Sequence, residues 1–276
     1  MNIIHRNLFR LLRSGAFDEY EELEPMSPFK WRRLLQIADV QGMAPYIQLG
    51  VVSQRRTKSE LCIPEEIIKQ LNSVSTVVPN VNTTLMKLLK LDPHLSNYFL
   101  NRRLKKIKAD EESSSEGSVE TIQLLNVIIY NVNQTLNRGL DLHGIIELGR
   151  FLRNRGDSVD FIKIETWLKH LGLERMAALQ GTILIEVFHF QLEEIPYMQK
   201  TERQAYSLLM RTMEHTAFDT AETWHFRMRS NGMVENNGKI LRRNLRRCLK
   251  YFKYCPWETI SNFFRNFYRN LSEIEE

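Results

Sequence analysis

The sequence predicts an all-α, multi-helix globular protein, and three observations carry that prediction. Nearly every segment repeats its apolar residues at spacings of three and four. No run of alternating β-branched residues bounded by paired turn signals occurs. Expected helix starts carry cap residues, such as Ser27 before Pro28 and Asp160 before Phe161. With 276 residues, 43% of them hydrophobic and 26% charged, the chain can remove roughly three quarters of its unfolded surface from water, so neither disulfides nor a structural metal is required. Cys62, Cys248 and Cys255 are odd in number and lack CxxC or Cys/His spacing, which fits a reducing cytoplasm. No apolar run of about 18 residues and no leader-like segment occurs, so neither membrane spanning nor secretion is expected.

The first helix carries Ile4, Leu8, Leu11 and Leu12 on one stripe and is expected to stop at Gly15. The second buries Trp31, Leu34, Leu35 and Ala38 and ends at Gln41-Gly42. Shorter helices are expected over 64–72, 80–91 and 93–107. Residues 109–118 hold no large apolar side chain, and their acidic, serine-rich composition reads as a flexible linker. This divides the chain into an N-terminal helical region, 1–108, and a C-terminal one, 119–276. The basic run Arg102, Arg103, Lys105, Lys106 and Lys108 reads as a solvated helix end. Beyond the linker, helices are expected over 119–137, 141–154, 160–171, 174–192 and 200–215.

The net charge of +5 is too mild to mark the whole chain as a nucleic-acid binder. The excess sits at the C-terminal end, where Lys239 to Asn270 holds nine basic residues and one acid, Glu258. Helical spacing separates Ile240, Leu241, Leu245, Cys248, Leu249 and Phe252 from Arg242, Arg243, Arg246, Arg247, Lys250 and Lys253. After Pro256, a second stripe follows with Ile260, Phe263, Phe264, Phe267 and Leu271. The expectation is a docked hairpin with its apolar stripes inward and its basic face solvated. The alternatives are a surface that lies on anionic lipid and a groove for an acidic partner or nucleic acid.

Some of these residues also stand in a familiar order: Leu11 to Gly15, Trp31 with Leu34 to Ala38, Gln41-Gly42-Met43 and Gly50, then Arg138 to His143 with Glu147 and Phe151-Leu152. Asp160-Phe161, Leu168, Leu171 to Leu173, Met176-Ala177 and Phe252 to Glu258 continue it. This order resembles the helical flanks of a nucleotidyltransferase-like family of Bacteroidetes, with His143 where that pattern has arginine and Glu147 where it has aspartate. The family's Asp-x-Asp core is missing. Nucleotidyl transfer needs closely spaced carboxylates on a rigid strand to hold two metal ions, whereas Asp157 and Asp160 stand three apart and Asp110 to Glu112 lie in the linker. The resemblance therefore implies a non-catalytic accessory or binding partner, with a protein partner in nucleotidyl-transfer or surface-polysaccharide biosynthesis. The alternative is a diverged nucleotidyltransferase that still binds nucleotide in a cleft lined by His143, Glu147 and Arg150. Because His143 and Glu147 are four apart on one helical face, a surface ion pair is the simpler expectation.

No cofactor and no metal are expected. Two Glu-x-x-His pairs occur, Glu186/His189 and Glu222/His225, but the apolar centre at Ile183 and Val187 places His189 on the solvent side. Tyr197, Tyr206, Trp224 and Phe226 read as packing residues, and Cys62 as an inert thiol.

Overall fold

The structure, a computed structural model, describes residues 2–57, 63–75, 81–115, 117–214, 226–228, 234–236 and 238–272. Among them are thirteen α-helices: α1 (Ile3–Phe17), α2 (Pro28–Val40), α3 (Ala44–Thr57), α4 (Glu65–Ser75), α5 (Val81–Leu89), α6 (Tyr98–Ser113), α7 (Val119–Arg138), α8 (Leu142–Arg155), α9 (Phe161–Leu171), α10 (Glu174–Phe188), α11 (Ala205–Glu214), α12 (Gly238–Phe252) and α13 (Pro256–Ser272). The fold class is all-α. One small exception stands between α11 and α12, where β1 (Phe226–Met228) and β2 (Val234–Asn236) pair antiparallel with Arg227 opposite Glu235. Cys62, Glu222, Trp224 and His225 lie outside the described residues, as do the side chain of Phe226 and those of Ile240 and Leu241.

The centre of the molecule is α7. It buries Leu124, Leu125, Val127, Ile128, Ile129 and Val132 over an arc of roughly 200°, with Asn126 and Asn131 buried as well. Helices α8, α9 and α10 pack around it. A polar thread also crosses this centre. The Asn131 amide donates to the Gly144 carbonyl at 2.9 Å and to Gln180 Oε1 at 3.2 Å, and Gln180 Nε2 donates to the Ile128 carbonyl. Buried amides need such partners. A Cβ at Gly144 would stand 2.2 Å from Asn131 Oδ1.

Gly15 does not end α1. The helix continues to Phe17, and Asp18 takes the left-handed conformation at φ 57°. Gly15 is instead a crossing residue: its Cβ would lie 2.0 Å from the Tyr46 carbonyl oxygen, and one at Gly50 would lie 2.2 Å from the Leu11 carbonyl oxygen. Two glycines on facing helices let the α1 and α3 backbones touch. Gly42, at φ 66°, ends α2 as expected.

Helix α6 begins at Tyr98 behind its Asn97 cap and runs to Ser113, five residues into the stretch read as a linker. Leu100 and Leu104 are buried in its first turns, and what holds its last five residues is ionic. Glu111 is buried, accepts from the Ser118 N–H at 2.9 Å, and meets Lys163 Nζ at 2.9 and 3.0 Å. The basic run therefore lies inside a helix, with Lys108 paired to Asp92. One hydrophobic cluster draws from both sides of this stretch, including Trp31, Leu184 and Tyr254, and Arg13 of α1 donates to the Val187 carbonyl of α10 at 2.6 Å. The core is shared across the expected boundary.

Candidate functional site

Two groups of residues singled out by the sequence meet different fates. The first is the group on α8. Glu147 is fully buried, not a member of a surface pair. Tyr46 of α3 donates its hydroxyl hydrogen to Glu147 Oε1. Arg150 Nη1 lies 3.4 Å from Glu147 Oε2 and donates to the Tyr46 hydroxyl oxygen at 3.2 Å, while His143 Nε2 lies 3.9 Å from Glu147 Oε1. Burial raises the Glu147 carboxyl above its ordinary range, opposed by Tyr46, Arg150 and His143. Burial, with the adjacent carboxylate, also raises the Tyr46 phenol. His143, Glu147 and Arg150 do come together, but they close around a carboxylate without solvent access. The cluster ties α3 to α8.

The second group is the C-terminal hairpin of α12 and α13, and here the expected orientation holds only in part. Arg246 and Lys253 are exposed and Cys248, Ile260, Phe263 and Phe267 are half-buried, while Leu245, Arg247, Leu249 and Phe252 depart from it. Arg247, expected on the solvated face, is buried and donates to the Asn137 carbonyl at the end of α7. Leu245, Leu249 and Phe252, expected inward, are exposed, Leu249 to 67%. At about 100° per residue these three fall within an arc of roughly 60°, with Lys253 and Arg246 next to it; both cations are exposed. Lys250 is half-buried and Lys253 donates to Gln204 Oε1. Arg242 and Arg243 stand in the first turns of α12, and their side chains lie outside the described residues.

Helix α13 repeats the pattern. Trp257, Phe264 and Tyr268 share an arc of roughly 40° and are 68%, 50% and 66% exposed, with exposed Arg265 beside them. Its docked side is polar. Glu258, fully buried, accepts from the backbone N–H of Ser96 at 2.6 Å and of Asn97 at 3.0 Å, so it caps the start of α6. Asn262 and Asn266 both donate to Asn137 Oδ1. Stripe arithmetic assigned the apolar face inward because it ranks burial of carbon first. The available signal to the contrary was the row of polar residues Glu258, Thr259, Asn262 and Asn266 at helical spacing.

Among the remaining candidates, Asp160 caps α9 by accepting from the Lys163 N–H, and Asp157 sits in a short 3-10 turn. His189 is the left-handed C-cap of α10, with its ring near Glu19 and Glu21. Among the described residues no group of three or more His, Cys, Asp or Glu is placed to hold a metal ion, and no helix is long and apolar enough to cross a membrane. No protein-family model, no curated protein and no solved structure matches the chain.

Proposed function

We propose that the protein is a non-catalytic binding protein whose working surface is the C-terminal hairpin, and that this surface lies on an anionic lipid bilayer from the cytoplasmic side. The observation that carries the reading is the exposed apolar side of the hairpin: it is fastened to the body through Arg247, Glu258, Asn262 and Asn266 and through buried Tyr251 and Tyr254, and it leaves Leu245, Leu249, Phe252, Trp257, Phe264 and Tyr268 exposed. Burying one large apolar side chain stabilises by roughly 1.5–3 kcal/mol, so six partly exposed ones leave several kcal/mol for a surface that covers them.

Charge selects the kind of surface. The one acid of the hairpin, Glu258, is buried, so among the described side chains Arg246, Lys253 and Arg265 are the exposed charges beside the apolar rows. A symmetric pairing with a second copy would bring these cations together, whereas anionic headgroups contribute about 1 kcal/mol for each nearby Lys or Arg. Trp257 and Tyr268 are amphipathic aromatics of the type enriched at the headgroup level. On the resemblance of its flanks, the attached protein would act as an accessory to nucleotidyl-transfer chemistry in surface-polysaccharide biosynthesis, with catalysis supplied by a protein partner.

Co-sedimentation with phosphatidylcholine vesicles, with and without phosphatidylglycerol, tests this. The wild type is expected to pellet with the anionic vesicles and to be released by salt, and a variant carrying L245S, L249S and F252S is expected to stay folded and remain in the supernatant. No pelleting of the wild type, or unchanged pelleting of the triple variant, overturns the lipid reading. Binding to duplex DNA in place of vesicles would move the surface to nucleic acid.

A further inference from the structure

Away from the hairpin and from Glu147, helices α6 and α9 enclose a groove with a volume of about 750 Å³. Two ties join the helices along it. Arg103 Nη1 donates to the His170 carbonyl at 3.1 Å, and Lys163 Nζ meets both oxygens of Glu111. Since residue 103 faces 170 and residue 111 faces 163, the helices run antiparallel. The ties stand eight residues apart on α6, about 12 Å at a rise of 1.5 Å per residue. Between them Ile107 and Trp167, both half-buried, supply an apolar wall, and Lys106 and Asp110 line the opening.

We infer that this groove is a binding site for a small aromatic monoanion, a planar ring carrying one carboxylate and a hydrogen-bond donor. Size argues for a small molecule: the volume falls within the range of small-ligand sites. The ring follows from Trp167 and Ile107, against which a planar group gains apolar burial and offset stacking. The charge follows from counting. Arg103, Lys106 and Lys163 oppose Asp110 and Glu111 among the lining residues, a balance of one positive charge with His170 neutral. Glu111 and Lys163 neutralise one another, and Arg103 is engaged by the His170 carbonyl. Lys106 pairs with none of the described residues and is placed to take a carboxylate. Asp110 accepts a donor from the ring and disfavours a dianion.

The test is a calorimetric titration of the full chain with 4-hydroxybenzoate, with phenol and benzoate as matched probes. Saturable binding is expected for 4-hydroxybenzoate, with phenol weaker for want of the anion and benzoate weaker for want of the donor. Because Lys106 is exposed, K106Q should melt as the wild type does and bind about tenfold more weakly, the loss of one charge-assisted contact. D110N should lose the preference for 4-hydroxybenzoate over benzoate. The hairpin variant with L245S, L249S and F252S should bind as the wild type does, which keeps this result separate from the lipid reading. The inference is overturned if the wild type shows no saturable binding, if K106Q binds equally well, or if the hairpin variant alone loses the ligand.

Discussion

The Tyr46 hydroxyl of α3 donates to Glu147 of α8, and this bond joins two elements 101 positions apart across the interior. The carboxylate is fully buried and is approached by two further groups, Arg150 at 3.4 Å and His143 at 3.9 Å, while Arg150 also donates to the Tyr46 hydroxyl oxygen. Removing the phenolic hydroxyl in Y46F leaves a buried carboxylate short of one donor. Such a loss costs about 1–3 kcal/mol, to be read as a lowered urea midpoint with an unchanged slope.

The pH dependence has opposite signs at two carboxylates. Because burial raises the Glu147 carboxyl above its ordinary 4.5, the folded chain holds that proton more tightly than the unfolded one. Its contribution is full below about 4.5 and is lost as pH climbs through the folded value. Glu24 behaves in reverse, since the Arg6 guanidinium bonded to it, with Arg10, lowers its carboxyl to about 2. Its contribution is present above about 4.5 and is lost as pH falls towards 2. Melting curves across pH should therefore show E147Q flattening the decline on the higher side, and E24Q flattening the decline on the acid side.

The α1 and α3 crossing should tolerate no side chain. G15A and G50A each place a methyl group within 2.0–2.2 Å of a backbone oxygen, and backbone cannot step aside as a side chain tip can. Overpacking of this kind costs about 1–3 kcal/mol, and each variant should melt lower than the wild type. G42A is different in cause: its Cβ meets nothing within 4 Å, yet its φ of 66° is strained for any residue with a side chain.

Adjacent arginines on α12 should part company. R246E replaces an exposed side chain and should leave the melting temperature within error. R247E places a carboxylate where a buried guanidinium meets the Asn137 carbonyl, and it should destabilise by about 3 kcal/mol or more. Equal behaviour of the two would show that the hairpin does not dock as described.

Glu258 carries the other anchor of the hairpin. E258A removes the acceptor for two backbone donors at the start of α6. Hydrogen exchange should report faster exchange at Ser96 and Asn97 and along α13, while the amides of α7 stay protected.

Local chemistry is what the sequence alone determined. Periodic apolar residues set the helices, Asp160 caps α9 as expected while Ser27 precedes α2 without a side-chain cap bond, and Trp31, Leu34, Leu35 and Ala38 are in the core as their spacing requires. These follow from interactions spanning a turn or two, which a sequence displays directly. The β1 and β2 hairpin escaped because its strands are three residues each, too short to show alternation. Tertiary structure decided which of two competing faces docks, and which polar residues find partners far along the chain. Gly15 reads as a helix stop until Tyr46 and Gly50 lie against it, and Glu147 reads as a surface acid until Tyr46 arrives from α3. The C-terminal hairpin shows the same limit most plainly. Its polar row could be buried because Ser96, Asn97 and Asn137 offered hydrogen bonds at that place, and no periodicity within the hairpin itself records those offers.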